Sequence, residues 1–108
     1  MKKKLAIILP VYNEEMSIEK VIKDWAKILP KAIFDLIVIN DGSKDKTHLV
    51  IVKLKDQIKN LILINKTNQG HGKAICDGYK YAIKNNYKNI FQTDSDGQFF
   101  SSDFVKLW

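Results

Sequence analysis

The chain has no arginine: all 18 of its strongly basic side chains are lysines, and they outnumber 12 acids to leave a formal net charge of +6. Lys20, Lys23, Lys27, Lys53, Lys55, Lys59, Lys80, Lys84 and Lys88 are scattered over what read as solvated helix faces. No basic stripe interleaves with aromatics, so the charge does not point to nucleic acid. It reflects a compositional bias toward Lys, Ile and Asn, and it still favours anionic substrates or a membrane surface. With one cysteine, Cys76, an internal disulfide is excluded and a reducing compartment fits. No apolar run reaches transmembrane length, and Leu5 to Leu9, ended by Pro10, is too short for the core of a signal peptide. Repeats, linkers and low-complexity tracts are also missing. At 108 residues, 45% hydrophobic and 28% charged, the chain is one globular domain at most, with a thin core for a sheet covered on both faces.

What is present is an alternation of short β-rich runs with longer segments of helical period. Strands are expected at Leu5 to Leu9, Phe34 to Ile39, Leu61 to Ile64 and Ile90 to Thr93. The first is continuously apolar, as in parallel strands covered on both faces. A helix follows from Ile18, Val21, Ile22, Trp25, Ile28 and Leu29, with Ser17 or Asn13 as its cap and Pro30 as its stop. A second helix is expected over 45–57. A third opens near Gly72 and carries Ile75, Tyr79, Ala82 and Ile83 on one face, and Ser102 caps a helix the chain does not finish. The pattern predicts βαβ units and a mainly parallel α/β sheet, cut short after its fourth strand.

The polar clusters fall at the carboxyl ends of these strands, where open α/β sheets bind ligands. They are Pro10-Val11-Tyr12-Asn13-Glu14-Glu15, Asn40-Asp41-Gly42-Ser43, the segment from Asn65 to Lys73, and Thr93-Asp94-Ser95-Asp96-Gly97-Gln98. In the last, carboxylates at i and i+2 with an amide at i+4 suit a hard divalent cation whose open positions take phosphate oxygens. It is not a calcium hand, because Gly97 is the fourth position of the loop rather than the sixth. The Gly70 segment is neither a P-loop nor a dinucleotide fingerprint: Ala74 stands where Ser or Thr is required, and the third glycine is missing. Each cluster has a plain structural reading beside the functional one. Glu14 and Glu15 serve as first-turn acids, Asp41-Gly42-Ser43 as a turn and cap, and Gly70 and Gly72 as sources of positive φ. The Gly70 segment also opens a helix whose free N–H groups suit phosphate, with Lys73 beside it as a mobile charge. His71 reads as a loop residue, Cys76 and Tyr79 as packing residues, and His48 carries no signal.

In this order and spacing the four clusters resemble those of a family 2 glycosyltransferase of the GT-A fold, over about Leu5 to Phe104. The likeness is to dolichyl-phosphate mannosyltransferase-like and bacterial polyprenyl-phosphate sugar transferases. It implies that residues 1–108 are the N-terminal nucleotide-sugar-binding part of such a domain, with the acceptor-binding half lying beyond them. It further implies that Pro10, Val11, Tyr12, Glu14 and Asp41 hold the base and ribose of a UDP- or GDP-linked sugar. Gly70 and Lys73 would lie near that pocket, with Asp94 and Ser95 at the donor. Asp94, Asp96 and Gln98 would hold Mg²⁺ or Mn²⁺. The acceptor implied is a polyprenyl phosphate, and the full-length protein is expected to be cytoplasmic, peripheral to or anchored at the membrane. Self-association of the fragment is a further expectation, because a sheet edge and apolar helix faces would be left uncovered. Asn40 and Ser101 depart from the common pattern, which often has Asp and Pro there. Two other classes remain beside transfer: a nucleotide-sugar-binding module without activity, and a receiver-like signalling domain. The latter expects an acidic pair after the first strand and a lone Asp after the third, where this chain has Asn13-Glu14 and Asn65.

Overall fold

The computed structural model describes residues 5–28 and 33–94. The elements are β1 (Leu5–Val11), α1 (Ile18–Ile28), β2 (Phe34–Asp41), α2 (Thr47–Lys55), β3 (Leu61–Lys66), α3 (His71–Lys84) and β4 (Asn89–Gln92). The four strands form one parallel sheet in the order β3-β2-β1-β4. Every residue of β1 and β2 is buried, as central strands covered on both faces require.

Strand alternation sorts the core into two faces. Leu5, Ile7, Leu9, Leu36 and Val38 pack with Ile18, Ile22 and Trp25 of α1 and Ile51 and Leu54 of α2. Ala6, Ile8, Ile37 and Ile39 pack with Ala74 and Ala82 of α3. Each fully buried Ile or Leu contributes roughly 1.5–3 kcal/mol.

The expected face of α3 is corrected at Tyr79 and Ile83, while Ala82 is buried as expected. Ala74, Gly78 and Ala82 are the buried positions, while Tyr79 is 36% and Ile83 66% exposed. The cause is distance: a Cβ at Gly78 would stand 2.6 Å from Ile8 Cγ2, so only small residues fit between the helix and β1. Cys76 is likewise exposed rather than packed.

The second helix is shorter than expected. The Asp45 carboxylate accepts bonds from both the N–H and the hydroxyl of Thr47, which turns the chain before α2 starts. At the other end, Gln57 and Ile58 N–H both close on the Leu54 carbonyl. Asn13 does not cap α1, since its Oδ1 accepts the Lys44 N–H instead. Ser17 directs its hydroxyl to Glu14, and its carbonyl accepts the Val21 N–H at the start of that helix. Pro30 and Ser102 lie outside the described residues.

Three strands run further toward the rim than their apolar cores suggest. β1 continues through Pro10 to Val11, β2 to Asp41 and β3 to Lys66, each in register with a neighbour. Pro10 is tolerated because the even residues of β1 aim their backbone groups at β4, as the Thr93 N–H bond to the Ile8 carbonyl shows. The last β1–β4 pair is Ile8 with Gln92, so the missing N–H of Pro10 removes no ladder bond.

Candidate functional site

Three consecutive strands step outward in the order β1, β2, β3, and the chain then returns across the sheet to place β4 on the other side of β1. That reversal makes the carboxyl end of β1 a topological switch point, where a crevice forms. A cavity of about 180 Å³ lies at this rim, lined by Pro10, Val11, Tyr12, Asp41, Asn68, Gly70, His71 and Ala74.

Asp41 organises the rim. It ends β2 directly opposite Lys66 at the end of β3, so both side chains point to the α3 face. Asp41 Oδ1 accepts the Gln69 N–H at 3.0 Å and Lys66 Nζ at 3.2 Å, and Oδ2 accepts the Gly70 N–H at 3.0 Å. Its carbonyl takes the Asn68 side-chain N–H at 3.1 Å. Burial opposes ionisation of this carboxyl, but the Gln69 N–H, Lys66 and the Gly70 N–H together outweigh it and hold Asp41 below the usual carboxylate range. Gly42 permits this closeness. Its φ is +70°, and a Cβ there would stand 2.6 Å from the Asn68 nitrogen.

One register step back, Asn40 and Asn65 meet on the opposite face, where Asn40 Nδ2 donates to Asn65 Oδ1 at 3.1 Å. His48 Nδ1 also contacts Asn65 Oδ1, at 3.1 Å. Asn40 Oδ1 accepts from Ser43, and Ser43 Oγ accepts the Asn13 N–H at 3.0 Å. The Thr47 hydroxyl accepts the Glu14 N–H at 2.8 Å. These bonds tie the loops after β1 and β2 to the start of α2 and the end of β3. His48 gave no signal in the sequence because its partner is 17 positions away.

The structure brings Pro10, Val11, Tyr12, Asp41 and Gly70 around one cavity. Glu14 is not among the lining residues, and its carboxylate accepts the Ser17 hydroxyl at 2.9 Å. Lys73 also stands off the cavity, paired with Asp77 at 3.3 Å one turn along α3. Four contributors were missed. Asn68 and Ala74 line the cavity. His71 is the first residue of α3 rather than a loop residue, lines the cavity, and places Nε2 3.2 Å from Asp94 Oδ1. Lys66 is a largely covered cation of the rim, a role its sequence neighbours do not disclose.

Asp94 lies just past β4, about half exposed, and Oδ1 also accepts Gln92 Nε2 at 3.1 Å. Ser95, Asp96 and Gln98 lie outside the described residues. Among the described residues no three acid, His or Cys side chains converge as a cation cage. What is visible fits a hard cation: an accessible carboxylate at the rim, preceded by Thr93, whose buried hydroxyl oxygen has no partner among the described residues.

This is the build of an α/β domain that binds a ligand at the carboxyl edge of its sheet. Residues 6–108 match the model of Glycosyl transferase family 2, and the chain belongs to that family. It is 31% identical to a dolichyl-phosphate beta-glucosyltransferase of Trichomonas vaginalis over 111 aligned residues, covering 95% of this chain and 33% of that protein. Among solved structures, S. aureus TarS 1-349 in complex with UDP-GlcNAc superposes with a TM-score of 0.79 at 26% identity, over 99% of this chain and 30% of that one. The mannosyltransferase PcManGT from Pyrobaculum calidifontis, in complex with GDP-Man and Mn²⁺, gives 0.67 at 21% identity over 76% of this chain and 25% of that one, a likeness of fold. The chain thus spans about a third of the length of the relative and of the first structure. No described helix is long and apolar enough to cross a membrane.

Proposed function

We propose that this chain forms the donor-binding part of a metal-dependent, inverting hexosyltransferase that uses a UDP- or GDP-linked sugar. The observation that carries this reading is the rim cavity at which the ends of β1 and β2 and the loops after β1 and β3 bring together Pro10, Val11, Tyr12, Asp41 and Gly70. A carboxylate oxygen has two lone pairs, and Asp41 Oδ1 uses both while Oδ2 uses one. The remaining acceptor position, on an ionised group, matches a base with a ring N–H. Uracil and guanine have one, and adenine does not. Tyr12, 41% exposed beside it, supplies an aromatic ring for stacking.

Asp94, with Asp96 and Gln98 from the same motif, would hold the cation next to the donor diphosphate. When bound, Mg²⁺ or Mn²⁺ supplies Lewis-acid neutralisation of charge on that leaving group. The head of α3 adds free N–H groups to the same region. The kinship with a protein named for dolichyl phosphate supports a polyprenyl phosphate acceptor. A phosphomonoester loses its second proton near pH ~6, so such an acceptor attacks without a protein base.

Asp96→Ala tests the assignment. Metal-dependent binding of UDP or GDP by the purified chain is lost, while its cooperative thermal unfolding is retained. Affinity equal to the parent chain, or collapse of the fold, counts against it.

A further inference from the structure

Lys66 is the most completely engaged side chain at the rim and belongs to none of the expected site residues. Its side chain is 10% exposed, and the ammonium meets Gln69 Oε1 at 3.0 Å, the Thr67 carbonyl at 3.1 Å and Asp41 Oδ1 at 3.2 Å, which uses all three of its N–H donors. Asp77 Oδ2 stands 3.7 Å away from the α3 side, and Lys73 pairs with the other oxygen of Asp77. The ammonium thus joins the end of β2, the loop after β3 and the second turn of α3.

Two of those contacts act on the cavity. The 67–70 loop supplies two lining residues, Asn68 and Gly70, and Asp41 is a third. At the buried Asp41 carboxylate the Lys66 charge adds to the two backbone N–H groups in favouring the ionised form. Among the described residues Lys66 is the cation in contact with it, whereas Lys73 pairs with Asp77.

We propose that Lys66 is a positioning residue for the donor site, fixing the Asp41 carboxylate and the 67–70 loop in the arrangement that receives the nucleobase. This rests on the donor-site reading above. Lys66 acts through Asp41 and does not itself touch the nucleotide. Among the described residues, the charged and titratable groups that contact Asp41 or Lys66 or share the cavity are Lys66 from β3, Asp77 from α3 with Lys73 paired to it, and His71 and Tyr12 from the cavity wall. Asp94 is paired to His71. Among them Asp77 opposes Lys66: its negative charge shares the ammonium and works against ionisation of Asp41.

The test is a pair of variants with opposite expected signs. Carbon-13 NMR titration follows the Asp41 carboxyl, and calorimetry with UDP and GDP in Mn²⁺ at pH 6.5 follows affinity. In Lys66→Gln the Asp41 titration moves up by about one pH unit or more, and nucleotide affinity falls about tenfold or more. In Asp77→Asn it moves down, because Lys66 then serves Asp41 alone, and affinity is retained within about threefold. General damage to the fold would weaken both variants together, and that result overturns the proposal. So does unchanged affinity in Lys66→Gln. If Lys66→Gln does not fold, Asp77→Asn decides alone: an upward shift or a loss of affinity overturns it. Absence of nucleotide binding by the parent chain overturns the donor-site reading and this inference with it, and is told apart by being seen before any substitution.

Discussion

Asp41 is where sequence, packing and chemistry meet. A carboxylate at the end of a central strand is costly to bury, and the chain offsets this with two loop N–H groups and one lysine. Replacing it by Asn leaves Lys66 without its closest counter-charge and removes the acceptor for Gly70. Asp41→Asn is therefore expected to cost about 3 kcal/mol in urea denaturation and to abolish nucleotide binding. The depressed pKa also fixes a pH dependence. Asp41 and Asp45 both titrate below their unfolded values; for each, burial raises the pKa but is outweighed, at Asp41 by Gln69, Lys66 and Gly70 and at Asp45 mainly by Thr47. Their stabilisation is complete above the unfolded carboxylate value of about 3.9 and is lost as pH falls through the lower folded values. Unfolding free energy should accordingly be flat in these two groups from about pH 5 upward and fall below about pH 4. In Asp41→Asn that acid-side slope becomes shallower.

Among the elements, α3 shows how far side-chain pattern alone can mislead. Its large apolar residues, Ile75, Tyr79 and Ile83, suggest a buried face, but the structure packs the helix through Ala74, Gly78 and Ala82. Gly78→Val should therefore destabilise the chain by about 1–3 kcal/mol, from overpacking against Ile8, while Ile83→Ala, at a position 66% exposed, leaves the denaturation midpoint almost unmoved. Equal losses from both would mean that the helix is rotated toward its large residues. The strands were legible because β1 is apolar throughout and β2 is apolar from Phe34 to Ile39 except at Asp35, whereas their order was not. The rim clusters were legible as positions at strand ends. Their internal bonding was not: Asp41 meets Gly70 across 29 positions and Asn13 meets Ser43 across 30, separations that no local pattern encodes. For the same reason the cavity wall could be named from Pro10 to Tyr12, whereas Lys66 and the His71–Asp94 contact could not.

At the scale of the whole molecule, the parallel sheet sends every strand toward the same edge, so the polar segments after β1, β2 and β3 share one rim with Thr93 and Asp94. The rim is cross-linked by side chains rather than by extra elements. Asn13, Asn40, Ser43 and Asn65 join strand ends and loops on one face, and Asp41 and Lys66 join them on the other. Such a frame is suited to holding a nucleotide before the chemistry begins. The most direct measurement is calorimetric titration of the purified chain with UDP-glucose and GDP-mannose, each with Mn²⁺ and again with EDTA. The account expects saturable binding of at least one of them that disappears with the chelator. A folded chain that binds neither in the presence of Mn²⁺ would contradict it.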